Sequence, residues 1–305
     1  MQMHDYVLAF DVGGTYVKAG IIRSDGTIAK PVMVYPARSE ETREELLQHF
    51  VLLVKDQGKR IQAGQAIRGI GFAFPGPFEY ESGICRIRGL NKFESLYGVN
   101  LKEELTNRIA VLPELQGRWS DSPGIAIEND AALFALGECA FGEGRPYPRT
   151  ICLTIGTGFG SAFVSSNRLV KQGEGVPPEG WLYRLPYRDG IIDDYISRRG
   201  IIRLANEMGI KNILAGEDDV KCLAERACSG ESLPGQLFHE FGERLKEVLT
   251  PFIQSFQPDA ILIGGQIAKS ADLFGLCQIA SVPVSITTET SVSALKGVYQ
   301  LFQKS

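Results

Sequence analysis

The sequence predicts a mixed α/β protein of two related lobes, and three observations lead there. Short apolar runs that read as strands alternate with segments of helical periodicity, and some neighbouring strands are separated only by tight turns. One unusual unit, strand–turn–strand–turn–strand with a glycine-rich first turn, occurs near the N-terminus and again in the second half of the chain. A chain of 305 residues also buries enough core for two domains.

The first copy opens on an apolar strand, residues 6–10, stopped by Asp11, Val12, Gly13, Gly14 and Thr15. Residues 17–22 are again apolar, Ser24, Asp25 and Gly26 turn the chain, and residues 28–34 supply a third extended segment. The first turn carries so little side chain that its backbone N–H groups can approach an anion, with the Thr15 hydroxyl beside them. Asp11 would repel a bare phosphate, so the arrangement makes sense with a cation such as Mg²⁺ between the two. An ordinary hairpin, whose glycine pair meets a positive φ, accounts for the same residues.

The second copy runs from Leu153, Thr154 and Ile155 into Gly156, Thr157, Gly158, Phe159 and Gly160. Residues 161–165 are extended, Ser166 and Asn167 turn the chain, and residues 168–171 begin a third strand. Two such turns, facing each other from related lobes, could hold a polyphosphate from both sides.

The remaining elements follow in order. Leu46, Leu47, Phe50, Val51 and Val54 predict a helix over 42–57, and Thr42 with Glu45 fits a capping box. Residues 67–74 read as a buried strand ending at Pro75, Gly76 and Pro77. A loop passes Gly89, Leu90 and Asn91 before Asn100 starts a short helix, with Glu103 placed to complete its cap. A strand over 125–127 leads through Glu128, Asn129 and Asp130 into a helix over 131–141. The loop-like stretch 117–124 sets the lobe boundary, dividing a small lobe, 1–120, from a large one, 121–290. Past Lys171 the chain is irregular, with Gly173, Gly175, Pro177, Pro178 and Gly180 around Trp181, Tyr183 and Tyr187. Helices are expected over about 193–228 and over 235–257, the latter with Leu237, Phe241, Leu245, Val248, Leu249 and Phe252 on one face. A strand over 259–263 closes on Gly264, Gly265 and Gln266, and a last helix over 291–302 carries Leu295, Val298, Tyr299 and Phe302.

Bulk properties exclude several classes. A net charge of −4, with no long Lys/Arg run, argues against nucleic acid as a partner. No apolar stretch reaches membrane-spanning length, and the first residues lack the basic region of a secretion signal, so a cytoplasmic protein is expected. The six cysteines are scattered and read as reduced core thiols, while three histidines are too few for a His-rich metal site.

Five motifs in order then carry a resemblance: Asp11 to Thr15; Phe74, Pro75 and Gly76; Glu128, Asn129 and Asp130; Ile155 to Gly158; and Leu262 to Gly265. Together they resemble the ROK family of bacterial sugar kinases, within the actin-like ATPase superfamily that includes hexokinase, across nearly the whole chain. The resemblance implies two ribonuclease-H-like lobes of mixed sheets flanked by helices, an interlobe cleft, and a final helix, 291–305, packed back on the small lobe. It implies ATP-dependent phosphorylation of a hexose hydroxyl, with Asp130 as general base. Asn91, Asn129 and Gly76 would border the sugar. Gly13, Gly14 and Thr15 would form one phosphate turn and Gly156, Thr157 and Gly158 the other, while Gly264 and Gly265 would admit the nucleoside. Asp11 would orient Mg²⁺ through its water. Lys18 reads equally as a phosphate contact or a solvated strand residue.

The sequence departs from the family where many members carry a Gly-Glu-x-Gly-His segment and a cysteine-rich, zinc-binding run. Here Pro178, Glu179, Gly180 and Trp181 keep a glutamate without histidine, and no cysteine lies between Cys152 and Cys222, so structural zinc is not expected. Glu179 is the candidate sugar-contacting glutamate, with Glu174 its competitor. Glucose is the default substrate, with N-acetylhexosamines, fructose and allose open. The alternative is a non-catalytic sugar-sensing regulator; its relatives carry a DNA-binding module, for which a strand at residue 6 is expected to leave no room. Relatives are often dimers or tetramers, so a homodimer is one assembly the resemblance allows.

Overall fold

The computed structural model describes residues 5–62, 65–119, 124–213, 219–276 and 278–303. The chain divides into two compact units, Met1–Phe141 with Ser291–Ser305, and Gly142–Thr290.

In the first unit β1 (Asp5–Val12), β2 (Tyr16–Ile22) and β3 (Met33–Pro36) form an antiparallel meander. The expected third strand over 28–34 is shorter and later: Ile28 makes only an isolated bridge to Ile22. Pro31, which has no N–H to offer a ladder, lies between that bridge and β3. Helix α1 (Arg43–Arg60) begins with the expected capping box, Thr42 and Glu45 satisfying each other's backbone N–H groups. β4 (Ala66–Phe74) then pairs parallel to β1. A small hairpin, β5 (Phe78–Glu79) with β6 (Ile84–Cys85), and helix α2 (Leu101–Ala110) follow. The Asn100 side chain accepts the Glu103 N–H at the start of α2. β7 (Ile125–Asn129) pairs parallel to β4 and runs directly into α3 (Asp130–Phe141). The sheet order is β3-β2-β1-β4-β7. An aromatic cluster joins α1 to this sheet: Phe50 meets Phe72 and Phe74 edge-on, while Phe10 stacks on Phe72 at 4.8 Å.

The second unit repeats the plan. β8 (Arg149–Ile155), β9 (Phe159–Ser165) and β10 (Arg168–Leu169) form a second antiparallel meander. The hairpin β11 (Pro186–Tyr187) with β12 (Gly190–Ile191) precedes the helices α4 (Ile192–Tyr195), α5 (Arg198–Glu207), α6 (Asp219–Cys228) and α7 (Ser232–Phe256). β13 (Ala260–Gly264) pairs parallel to β8, and β14 (Gln278–Ile279) and β15 (Val282–Ile286) complete the sheet in the order β10-β9-β8-β13-β15-β14. Each unit therefore carries an antiparallel three-strand meander whose first strand is extended by two parallel strands.

Helix α8 (Thr290–Gln300) and the residues after it return to the first unit. Gly69 and Gly71 of β4 make room for them: a Cβ at Gly69 would stand 2.2 Å from the Phe302 ring, and one at Gly71 2.3 Å from Val298. The division between units falls after Phe141 and not after residue 120, because β7 is a strand of the first sheet. Of the cysteines, Cys85, Cys139 and Cys152 are buried, but Cys222 is half-buried and Cys228 exposed, so those two are not core thiols. Cys277 lies outside the described residues. Among the described residues no helix is long and apolar enough to cross a membrane.

Candidate active site

The first glycine turn joins β1 to β2. Gly13 donates its N–H to the Tyr16 carbonyl at 2.9 Å, and Ser39 Oγ donates to the Gly14 carbonyl at 2.8 Å. Neither Gly13 nor Gly14 has a positive φ, so the hairpin explanation of the pair fails here. Space explains it instead: a Cβ at Gly13 would lie 3.0 Å from the Tyr16 carbonyl oxygen, and one at Gly14 3.2 Å from Lys92 Cδ. Gly13 and Thr15 are exposed, so the turn's backbone is open to a ligand.

Asp11 precedes this turn, paired across the hairpin with Lys18. Lys18 Nζ donates to Ser291 Oγ at 2.8 Å, and Ser291 in turn hydrogen-bonds the Asp11 carboxylate. Burial pushes the Asp11 carboxyl up to about 6; the Ser291 bond and Lys18 oppose the rise, and the charge of Asp130 adds to it.

Asp130 is the first residue of α3, where parallel β7 ends. Its neighbour Asn129 takes the capping role, its side-chain oxygen accepting the N–H groups of Ala131 at 3.0 Å and Ala132 at 3.2 Å. Asp130 accepts the Ala131 N–H at 3.0 Å and is also hydrogen-bonded by the Asn129 side chain. Its side chain is reachable by solvent yet crowded by protein, and desolvation raises its carboxyl above the usual range. Asn129 also donates to Tyr80 OH at 3.2 Å, and Tyr80 OH donates to the Phe74 carbonyl at 2.9 Å. The Asn129 amide therefore serves both Tyr80 and the Asp130 carboxylate, and holds that carboxylate in place. Gly76 adjoins the same tyrosine; a Cβ there would lie 3.3 Å from Tyr80 OH. Asn91 is exposed with φ 54°, its N–H held by Glu94 Oε1 at 2.9 Å.

In the second unit, Gly156 donates to the Gly158 carbonyl at 3.0 Å, and the Arg198 N–H at the start of α5 donates back to the Gly156 carbonyl at 2.9 Å. Thr157 and Gly158 are exposed, and a Cβ at Gly156 would meet nothing within 4 Å. Beside this turn, on the neighbouring strand β13, Gly264 pairs with Thr154, and Gly265 has φ 101°. A Cβ at Gly265 would stand 2.2 Å from the Ile155 carbonyl oxygen, and its N–H donates to Thr290 Oγ1 at 2.7 Å. The two glycine pairs thus share one edge, at the C-terminal ends of parallel strands, where open α/β sheets bind ligands. Glu179, on a short turn with φ 60°, is exposed and 3.5 Å from Lys171 Nζ; Glu174 is also exposed.

Sequence reasoning missed several residues that shape these turns. Asp193 Oδ1 accepts the Phe159 N–H at 2.6 Å and so anchors the second turn from α4. Ser39 and Ser291 act on the first turn and on Asp11, and Lys92 sits against Gly14. All four come from distant segments, and no local spacing marks them.

Among the described residues no three His, Cys, Asp or Glu side chains are grouped to hold a metal ion by themselves. Mg²⁺ needs less, since it keeps several waters and binds through one or two carboxylates and substrate phosphates. Asp11 fits: it is a desolvated carboxylate, next to an exposed glycine turn, whose ionised form a nearby cation would favour.

Residues 7–282 match the ROK family, and the chain belongs to that family. It is 27% identical to the glucokinase of Thermotoga maritima over 289 residues, 88% of this chain and 84% of that protein. The ROK hexokinase of Thermus thermophilus matches with a TM-score of 0.73 at 19% identity, over 97% of this chain and 98% of the other. A ROK family glucokinase from Streptomyces griseus, solved with glucose and AMPPNP, matches with a TM-score of 0.70 at 21% identity, over the same 97% and 98%. At such identities the structural likeness establishes the shared fold, which is that of the ROK sugar kinases.

Proposed function

We propose that this chain is an ATP-dependent sugar kinase, transferring the γ-phosphoryl group of ATP to a hexose hydroxyl, with glucose the first acceptor to try. The observation that carries the reading is Asp130: a solvent-reachable, desolvated carboxylate at the end of a parallel strand, relieved of capping by Asn129. Family membership and the likeness to glucokinases support it.

In the proposed reaction the sugar oxygen forms a bond to the γ-phosphorus as the bond from that phosphorus to the bridging oxygen of ADP breaks. The hydroxyl proton passes to Asp130, whose raised proton affinity suits a general base. Asn91, Asn129, the Gly76 turn and Glu179 would orient the sugar. The backbones of Gly13, Gly14 and Thr15, and of Gly156, Thr157 and Gly158, would take the phosphates, and the start of α5 beside Gly156 adds favourable helix polarity. The Gly264–Gly265 turn would admit the nucleoside. Asp11 would hold Mg²⁺ through its water; when bound, the ion supplies charge neutralisation for the phosphates.

A coupled assay of ADP release over glucose, mannose, N-acetylglucosamine, N-acetylmannosamine, fructose and allose tests this reading. Hexose-dependent turnover of ATP is expected. Sugar binding without turnover for any of them would favour a sugar-sensing regulator instead.

A further inference from the structure

We propose that Lys92 is a further catalytic residue, its ammonium group gripping the γ-phosphoryl oxygens between the Gly13–Gly14 turn and Asp130; this rests on the kinase reading above. Its position is the first argument. A Cβ at Gly14 would lie 3.2 Å from Lys92 Cδ and 4.0 Å from Nζ, so the side chain lies along the turn itself, and a larger residue at position 14 would press against it. Its charge is felt by Asp130, lowering that carboxyl's proton affinity against the effect of burial. Yet among the described residues Lys92 forms no ion pair or hydrogen bond, with Asp130 or any other group. Other lysines do pair: Lys18 with Ser291, Lys55 with Glu114, Lys171 with Glu179 and Lys246 with Glu243. A half-buried ammonium next to a carboxylate, with its hydrogen-bonding capacity unspent, suits an anion that arrives from outside.

The backbone around Lys92 is the second argument. The residues on both sides, Asn91 with φ 54° and Phe93 with φ 55°, adopt left-handed conformations that side chains disfavour. Three restraints hold them there. The Asn91 N–H donates to Glu94 Oε1 at 2.9 Å and the Phe93 N–H to the Ser39 carbonyl at 2.6 Å, while the fully buried Phe93 ring packs on Phe74 at 5.1 Å. Ser39 also binds the Gly14 carbonyl, so one residue ties the Lys92 turn to the glycine turn. A solvated surface lysine needs none of this.

The test compares Lys92→Met with Lys92→Arg. Calorimetry should show Lys92→Met weakening AMPPNP, which carries the γ-phosphate position, while ADP affinity stays at the wild-type value. In the coupled assay kcat should fall roughly 10- to 100-fold, the worth of one hydrogen bond to a charged group, with the hexose KM little changed. Lys92→Arg should restore part of both losses. Equal weakening of AMPPNP and ADP, or a wild-type kcat in Lys92→Met, overturns the proposal. If Lys92→Met melts early, Lys92→Arg with wild-type stability carries the same comparison, and a Lys92→Arg protein unchanged in kcat and in both affinities while Lys92→Gln is also unchanged overturns it. If the wild-type protein phosphorylates no hexose, the kinase reading fails by itself, and the AMPPNP-against-ADP comparison still decides whether Lys92 reads the third phosphate.

Discussion

Gly137 of α3 and Gly297 of α8 face each other at backbone contact. A Cβ at Gly137 would stand 1.8 Å from the Ser293 carbonyl oxygen, and one at Gly297 1.8 Å from the Leu133 carbonyl oxygen. The two helices therefore meet without side chains between them, and this contact seats the returning C-terminal helix on the first unit. Because the clash partners are backbone on both sides, neither can swing away. Gly137→Ala and Gly297→Ala should each destabilise by about 1–3 kcal/mol or more, as overpacked cores do. Urea unfolding curves matching wild type for both would show the helices free to part.

The glycines of the second unit divide into two kinds. Gly265→Ala adds a Cβ 2.2 Å from the Ile155 carbonyl oxygen at φ 101°, and should cost about 2 kcal/mol or more in stability. Gly156→Ala adds one to open space and should leave stability within about 0.5 kcal/mol. If the Gly156 turn receives a phosphate, Gly156→Ala should nevertheless weaken MgATP about tenfold, or 1.4 kcal/mol. Wild-type MgATP affinity in Gly156→Ala would leave that turn without a phosphate to hold.

This division also marks what residues alone disclose. β1, β4, β8 and β13 are legible because central strands buried on both faces are continuous apolar runs, and α1 because its apolar spacing and its cap agree. β15 was not anticipated: it is five residues long and contains Pro283, so nothing in its pattern outweighs a loop. The glycine motifs are visible as composition, but not their cause. Gly13 and Gly14 serve space and Gly265 serves both space and a positive φ, a distinction that depends on Tyr16, Lys92 and Ile155. Likewise Asp130 and Asn129 look interchangeable as helix caps until the hydrogen bonds assign that duty to Asn129.

Acidification should expose His49. It is buried on α1, donating Nε2–H to the Pro36 carbonyl at 2.8 Å, and burial, with help from Arg38, holds its imidazole below the ordinary value of 6.5. Between its folded value and 6.5 the unfolded chain binds more protons, so this contribution is complete above 6.5 and is lost as pH falls through that window. Asp11 acts in the opposite sense: raised from 3.8 to about 6, it takes up its proton first in the folded state and adds stability on acidification. The difference between wild type and His49→Gln isolates the histidine. The wild-type Tm should fall relative to that of His49→Gln between pH 7.5 and 5.5, and parallel curves would contradict the assignment.

Asp130→Asn tests the proposed base, and its neighbour supplies the control. The helix start does not depend on Asp130, since Asn129 already holds the Ala131 and Ala132 N–H groups. The replacement amide can still accept the Ala131 N–H that Asp130 takes at 3.0 Å. Removing the carboxylate also relieves Asp11 of a like charge that raises its proton affinity. Thermal stability should therefore stay at the wild-type value or rise slightly. Turnover should not survive, because the sugar proton has lost its acceptor: kcat is expected to fall about 10²- to 10⁴-fold, the usual worth of a positioned general base. Hexose affinity should weaken less than kcat. Asn129→Ala should show a different pattern, losing the cap and the Tyr80 bond at about 0.5–2 kcal/mol of stability. An Asp130→Asn protein that phosphorylates hexose at near wild-type kcat would reduce Asp130 to an auxiliary cap. The base would then have to be Glu128, which is buried and accepts the Asn129 N–H at 2.9 Å, or the exposed Glu179, and the matching Gln substitutions would choose between them.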